Sequence, residues 1–106
     1  MNSDLKIILE RIDGLFKRIS RTHYWIEIAN DPYDKTYNFF FNSQRRGQRL
    51  KSIPLHSVNT YHLEYLEALI ADFKLEHQLT IKFVGFCRLK WPSSQRLIQR
   101  KRDVLE

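Results

Sequence analysis

Along the 106-residue chain, the spacing of apolar residues alternates between the period of a helix and the period of a strand. The resulting order of helices and strands is compatible with few folds. From Ser3 to Ile19, apolar residues recur every three or four positions, which predicts an amphipathic helix. A second stripe of this kind predicts a helix from about Asn59 to Glu76. Elsewhere apolar and polar residues alternate, as is typical of strands.

The alternating segments predict four strands: Thr22–Asn30, Thr36–Asn42, Arg49–Leu55 and Leu79–Trp91. Asp31-Pro32 is turn chemistry and joins the first two strands in a hairpin, whereas Pro54 favours an edge or an end for the third. The order helix-strand-strand-strand-helix-strand predicts one small α+β domain, with a mostly antiparallel sheet packed on two helices. Residues 1–92 would form its core. Residues 93–106 would form either a short basic C-terminal helix, over Gln95–Leu105, or a frayed tail.

The chain lacks the motifs of common catalytic and cofactor sites. Three scattered glycines cannot build a phosphate-cradling loop, and a single cysteine, Cys87, excludes both a disulfide within the chain and a multi-thiolate zinc site. We expect Cys87 to be a small buried side chain. A metal-dependent nuclease is disfavoured because the predicted third strand carries no carboxylate. The sequence therefore predicts no catalytic residue, no metal and no cofactor.

Positive charge is concentrated in two stretches. Residues 1–44 are neutral overall and residues 61–80 carry a net charge of −3, whereas residues 45–60 carry +4 and residues 81–106 carry +5. A surface that serves solubility alone mixes the two signs more evenly. The clustering points to a polyanionic partner, and nucleic acid is the first candidate.

The predicted last strand also combines cations with aromatic side chains. Strict alternation would place Lys82, Val84, Phe86, Arg88 and Lys90 on one side of the sheet. Cations and aromatic rings on one sheet face are a common means of holding single-stranded nucleic acid, through phosphates and stacked bases.

The favoured hypothesis is a non-enzymatic nucleic-acid-binding protein that prefers RNA or single-stranded DNA to duplex DNA. The candidate contact residues are Arg45, Arg46, Arg49, Lys51, Lys82, Phe86, Arg88, Lys90, Trp91, Arg96 and Arg100. Phe86 or Trp91 would stack on a base, and the cations would contact phosphates. The hypothesis assumes that the two basic stretches fold side by side into one continuous positive surface.

Two other functions stay open from the sequence. One is a protein-binding adaptor or inhibitor, such as a viral or plasmid counter-defence protein, whose charge serves an acidic partner. The other is a metal-free ribonuclease centred on His56, with Tyr61 and His62 close behind it in the chain. The aromatic surplus around Trp25 and residues 39–41 favours a homodimer. No apolar run reaches the ~18 residues that a membrane span needs, so we expect a cytoplasmic protein.

Overall fold

The computed structural model of the protein describes residues 3–15 and 22–98. Its elements are α1 (Ser3–Leu15), β1 (Thr22–Asp31), β2 (Thr36–Arg45), β3 (Lys51–Val58), α2 (Leu63–Glu76) and β4 (Thr80–Val84). The α+β class and the predicted order of elements are confirmed. The end of the first helix predicted over residues 16–19 lies outside the described residues.

The four strands form one mixed sheet in the order β3-β2-β1-β4. β1 pairs antiparallel with β2, β2 pairs antiparallel with β3, and β1 pairs parallel with β4. β3 is therefore an edge strand, which is where Pro54, having no amide hydrogen, is tolerated. This sheet order also fixes which loops share an end of the molecule. The β2–β3 turn lies where β1 begins, and the chain leaves β4 near the end of β1.

Both helices pack on the same face of the sheet. α1 buries Leu5, Ile8 and Ile12. α2 buries Leu66, Leu69, Ile70 and Phe73. These side chains meet the inward-facing residues Ile26, Ile28, Phe39 and Phe41 in a single core. Burying an aliphatic or aromatic side chain of this size contributes about 1.5–3 kcal/mol, so this core is the main source of stability.

The β1–β2 connection is the turn expected from its sequence. The carboxylate of Asp31 accepts hydrogen bonds from the backbone N–H groups of Tyr33 and Asp34, each at 3.1 Å. Lys35 completes the turn with a φ of 55°. This local bonding sets the register in which Asp31 pairs with Thr36 and Ile28 with Phe39.

The last strand is shorter than the alternation predicts. β4 ends at Val84, and Gly85 follows with a φ of 80°. A Cβ at Gly85 would lie 3.0 Å from the backbone oxygen of Asn30, so the close approach to β1 requires glycine. Beyond this break the alternation changes phase. Phe86 enters the core with no exposed surface, and Cys87, expected to be buried, is exposed.

The described part of the predicted C-terminal helix is instead a turn held against the domain. Lys90 and Leu97 form an isolated antiparallel bridge, and the backbone N–H of Ile98 donates to the Leu89 carbonyl at 3.0 Å. Ile98 is buried in the core. The remainder of the predicted basic tail, residues 99–106, lies outside the described residues. None of the described helices is both long and apolar enough to cross a bilayer.

Candidate nucleic-acid interface

The β2–β3 turn gathers the first basic stretch at one end of the sheet. The N–H of Gln48 donates to the Arg45 carbonyl at 2.9 Å, and Gly47 takes a φ of 79°, which reverses the chain in a tight turn. The cationic side chains of the turn are all exposed: Arg45, Arg46, Arg49 and Lys51. Among the described residues, the ion pairs join His56 to Asp4 and His77 to Asp13, so no carboxylate neutralises this turn.

A small cavity opens beside the turn. Its volume is about 120 Å³, and it is lined by Thr22, Tyr24, Ser43, Arg45, Gln48, Arg49 and Lys51. The strand register explains this set, because Thr22 pairs with Arg45, Tyr24 with Ser43, and Ser43 in turn with Lys51. The Thr22 hydroxyl oxygen is buried and has no hydrogen-bond partner among residues 3–15 and 22–98. The wall of the cavity therefore combines cations, hydroxyls and an amide.

The described part of the second basic stretch, residues 81–98, lies elsewhere. Arg45 is level with Thr22 at the start of β1, whereas Val84, the last residue of β4, is level with Ala29 near the end of β1. At about 3.3 Å per residue, these two levels are roughly 23 Å apart along the strands. They are also on opposite sides of β1 in the sheet. For the described cations, the assumption of one continuous positive surface is therefore wrong.

Lys82 lies on the outer face of the sheet, which neither described helix covers. Its Nζ is 4.9 Å from the centroid of the Trp25 ring, a cation–π contact, and His23 stacks on the same ring at 5.1 Å. Trp25 is 5% exposed, so this ring is covered by its neighbours. Lys82 does not share a face with Arg88 and Lys90, because β4 ends before them and Arg88 has a φ of 69°.

The two predicted stacking residues are both engaged within the domain. Phe86 is fully buried against Tyr37 and Phe83, so it is unavailable to a base and its predicted role is wrong. Trp91 is half-buried, with its ring in edge contact with Phe83, and lines a groove of about 250 Å³ against α2. Glu67 lines the same groove.

Of the remaining cations in the second stretch, Arg88, Lys90 and Arg96 are exposed, and Arg100, Lys101 and Arg102 lie outside the described residues. The turn that carries Lys90 and Arg96 is fastened to α2, because the Ser93 hydroxyl donates to the Glu67 carboxylate. The outward side of α2 also bears Glu64, Asp72 and Glu76. This mixture of signs makes the second stretch a weaker site for phosphate than the β2–β3 turn.

His56 belongs to a separate cluster. Its Nε2 lies 2.6 Å from Asp4 Oδ1, and the Tyr65 hydroxyl donates to the other carboxylate oxygen. Burial favours a higher pKa for the Asp4 carboxyl, but the hydrogen bonds from Tyr65 and His56, and the charge of His56, lower the pKa below its ordinary value of 3.8. The cluster joins α1, β3 and α2.

A second cavity adjoins His56. It has a volume of about 200 Å³, and Arg11, Asn38 and Ser57 are also on its wall. Arg11 donates a hydrogen bond to the Leu55 carbonyl, which covers part of the β3 edge. Nδ1 of His56 has no hydrogen-bond partner in the part of the chain that the structure describes. Five positions along β3, roughly 17 Å, separate His56 from Lys51.

Comparisons with protein-family models, with curated proteins and with solved structures give no match. In the described ranges, no group of three or more His, Cys, Asp or Glu side chains is placed to hold a metal ion. Sequence reasoning located the cations of the turn but missed Thr22, Tyr24, Ser43 and Gln48. These residues join the cations only through the register of the strands, which pairs Thr22 with Arg45, 23 positions later in the chain.

Proposed function

We propose that the protein binds RNA or single-stranded DNA through the β2–β3 turn. The supporting observation is the exposure of Arg45, Arg46, Arg49 and Lys51 on a tight turn without carboxylate partners among the described residues. Arginine guanidinium groups match phosphate oxygens with two parallel hydrogen bonds, so closely spaced arginines suit a phosphodiester backbone.

The outer face of the sheet offers a path for the rest of the strand. Lys82 lies on this face two strands away from the turn, with Trp25 and His23 between them. The outward side of α2 is acidic, and α1 carries two cations and three carboxylates, so neither described helix offers a basic surface for the major groove of duplex DNA. A flexible single strand can bend around the turn and follow the outer face at little cost.

Binding is tested by fluorescence anisotropy with internally labelled single-stranded RNA, single-stranded DNA and duplex DNA over a range of salt concentrations. We compare two charge-matched triple variants, R45Q/R46Q/R49Q at the turn and R88Q/K90Q/R96Q at the far corner. Each phosphate contact on a single strand contributes about 0.7 to the slope of log affinity against log salt. The turn variant should therefore lose affinity and reduce the slope by about 2, whereas the far-corner variant changes both slightly.

Three results would refute the proposal. An affinity that does not change between low and moderate salt would show that phosphate contacts are absent. Equal losses in the two triple variants would show that net charge, and not the turn, attracts the nucleic acid. A single stoichiometric protein partner that survives nuclease treatment, with no binding to any oligonucleotide, would favour the adaptor or inhibitor alternative.

The Asp4–His56 pair supports a second candidate, a metal-free ribonuclease. Because the Asp4 carboxylate only accepts, the proton of a neutral His56 sits on Nε2, and the lone pair of Nδ1 is left to act as a general base. Arg11 on the wall of the adjoining cavity would position a phosphate. The test is RNA cleavage in EDTA by the wild type, H56Q and the control H77Q, whose ring lies 3.9 Å from the Asp13 carboxylate and outside the His56 cluster. Activity lost in H56Q alone supports the candidate, and an inactive wild type rejects it.

A further inference from the structure

His23 presents an aromatic ring on the outer face of the sheet, close to the basic turn. Side chains alternate along β1, so His23, Trp25 and Glu27 share this face. The His23 ring is stacked on the Trp25 ring, with centroids 5.1 Å apart and planes inclined by 28°. Trp25 is 5% exposed whereas His23 is an exposed residue, so the ring that a ligand can reach is that of His23.

The packing around Trp25 holds the His23 ring in place. Lys82 Nζ lies 4.9 Å from the centroid of the Trp25 ring, and Asn42, which pairs with Trp25 across the strands, is 2% exposed and donates to Glu27. Among the described residues, Trp25 supplies the one ring contact of His23, and no hydrogen bond engages the His23 side chain. The ring is therefore supported by a buried neighbour before a ligand arrives, which reduces the entropy lost on binding.

The register of the strands brings His23 together with a polar side chain and the proposed phosphate contacts. His23 pairs with Gln44, which immediately precedes Arg45 and Arg46 of the basic turn. Directly paired residues point to the same face, with Cβ atoms about 4.5–5.5 Å apart. Gln44 is exposed, and its amide can both donate to and accept from the edge of a base. A nucleotide at this position meets a ring, an amide and the neighbouring guanidinium groups.

Two other rings outside the core are less suited to this role. Phe40, also on the outer face, is half-buried. Tyr33 is 95% exposed, but it lies in the β1–β2 turn with Asp31 and Asp34, at the opposite end of the two strands from the basic turn. Those carboxylates repel phosphate. Single-strand binders combine cations with rings on which bases stack, and His23 offers that combination.

We propose that an unpaired nucleobase stacks on the His23 ring and that the Gln44 amide hydrogen-bonds to the edge of that base. The inference rests on the proposed nucleic-acid binding and adds base recognition to it. The strand places its phosphates on Arg45 and Arg46 and continues over the outer face towards Lys82. A base in a duplex is already stacked and paired, so this contact favours single strands.

The test compares two single strands of equal charge and of equal length, about 12 nucleotides: an oligo(dT) strand, and a strand of abasic deoxyribose residues. Stacking of a base on one aromatic side chain contributes about tenfold in affinity, so the wild type should prefer oligo(dT) by about that factor. H23A should reduce the preference to less than about threefold by weakening binding to oligo(dT) alone. H23F keeps an aromatic ring without the nitrogens and should keep the preference.

Two further variants complete the design. Y33A removes an exposed ring at the opposite end of the strands and is the matched control, which should keep the wild-type affinity for both strands. Q44A should weaken binding to oligo(dT) by about threefold, as expected for one hydrogen bond, and leave the abasic strand unaffected. H23F, Y33A and Q44A should all keep the wild-type salt dependence, because none of them removes a phosphate contact.

The outcomes separate this inference from the function on which it rests. Salt-sensitive binding with equal affinity for the two strands overturns base stacking and leaves nucleic-acid binding in place. A preference that persists in H23A, is lost in H23F or falls equally in Y33A overturns the role of His23. An unchanged affinity of Q44A for oligo(dT) overturns the contact with Gln44. Absence of binding to either strand overturns both proposals.

Discussion

The Asp4 carboxylate links three elements of the fold, and its removal is a sensitive test of how the helices are attached. Asp4 lies in the first turn of α1, pairs with His56 of β3 and accepts a hydrogen bond from Tyr65 of α2. Its side chain is 22% exposed and that of His56 is 17% exposed. Asp4→Ala would remove the carboxylate that both His56 and Tyr65 contact.

The cost follows from these contacts. Hydrogen bonds to charged groups contribute about 1.5–3 kcal/mol each, and partial exposure to water places these two near the lower limit. We therefore expect Asp4→Ala to lower the free energy of unfolding by about 3 kcal/mol. For a domain of this size, that corresponds to a fall in Tm of more than about 10 °C. Asp13→Ala is the matched control in the same helix: Asp13 is 75% exposed and 3.9 Å from His77, so its loss should cost less than about 0.5 kcal/mol.

The same contact predicts a definite pH dependence. Because the folded-state pKa of Asp4 is lowered from 3.8, its contribution is complete above that unfolded value and is lost as the pH falls through the folded-state pKa. Urea unfolding of the wild type and Asp4→Ala at pH 6 and in steps below pH 4 measures the difference. The gap should narrow only in acid. A gap that is independent of pH, or one no larger than that of Asp13→Ala, would refute the reasoning.

Three further predictions test the fold. Gly85→Ala should lower the free energy of unfolding by about 1–3 kcal/mol, because the residue has a φ of 80° and an added Cβ would press on Asn30. Gly14→Ala is the control, since an added Cβ there meets open space on α1. It should raise the free energy of unfolding by about 0.5–1 kcal/mol in the same urea experiment. Burial, with the negative charges of neighbouring groups, raises the pKa of Tyr37 to about 12, so ultraviolet titration should show a tyrosine ionising near pH 12 that is absent in Tyr37→Phe. Its contribution to stability should be lost between about pH 10 and 12. Cys87 is exposed, so a thiol reagent should modify one group per chain in the native protein, and slow reaction that requires denaturant would contradict this position.

The spacing of apolar residues predicted the helices and strands well because each of these elements buries one face in the core. In α1 the predicted stripe includes Leu5, Ile8 and Ile12, all of which are buried. The alternation in β1 likewise placed Ile26 and Ile28 on the core side. This periodicity depends only on the local geometry of a helix or strand. The buried face can therefore be predicted without knowing which elements pack against it.

The same reasoning failed at β4 because one residue changed the phase of the pattern. Leu79, Ile81 and Phe83 continue in sequence to Cys87, Leu89 and Trp91 at every second position, and no charge interrupts that row. Gly85 sits within this row, and its positive φ ends the strand. The sequence offered a glycine inside a strand pattern, which often marks a break. It did not reveal that β1 would approach this closely.

The aromatic surplus that favoured a homodimer is largely absorbed inside the single chain. Trp25, Phe39 and Phe41 are each 5% exposed or less. These aromatic side chains are buried on both faces of the sheet. Phe39 and Phe41 face the helices, and Trp25 lies on the outer face beneath Lys82. Hidden aromatic surface gives no reason for a second copy, so a homodimer stays a prediction without structural support.

The separation of the two basic stretches changes what the charge can do. If the two stretches lay side by side, their combined positive charge would attract nucleic acid whatever the arrangement of the individual side chains. Because the described parts of the two stretches lie at opposite corners of the sheet, a nucleic-acid strand must prefer one of them, and the choice depends on local surroundings. Arg96 and Lys90 lie near the acidic side of α2, whereas the cations of the β2–β3 turn have no carboxylate partner among the described residues. Affinity should therefore follow the position of the cations and not their number, which is why charge-matched variants decide the question.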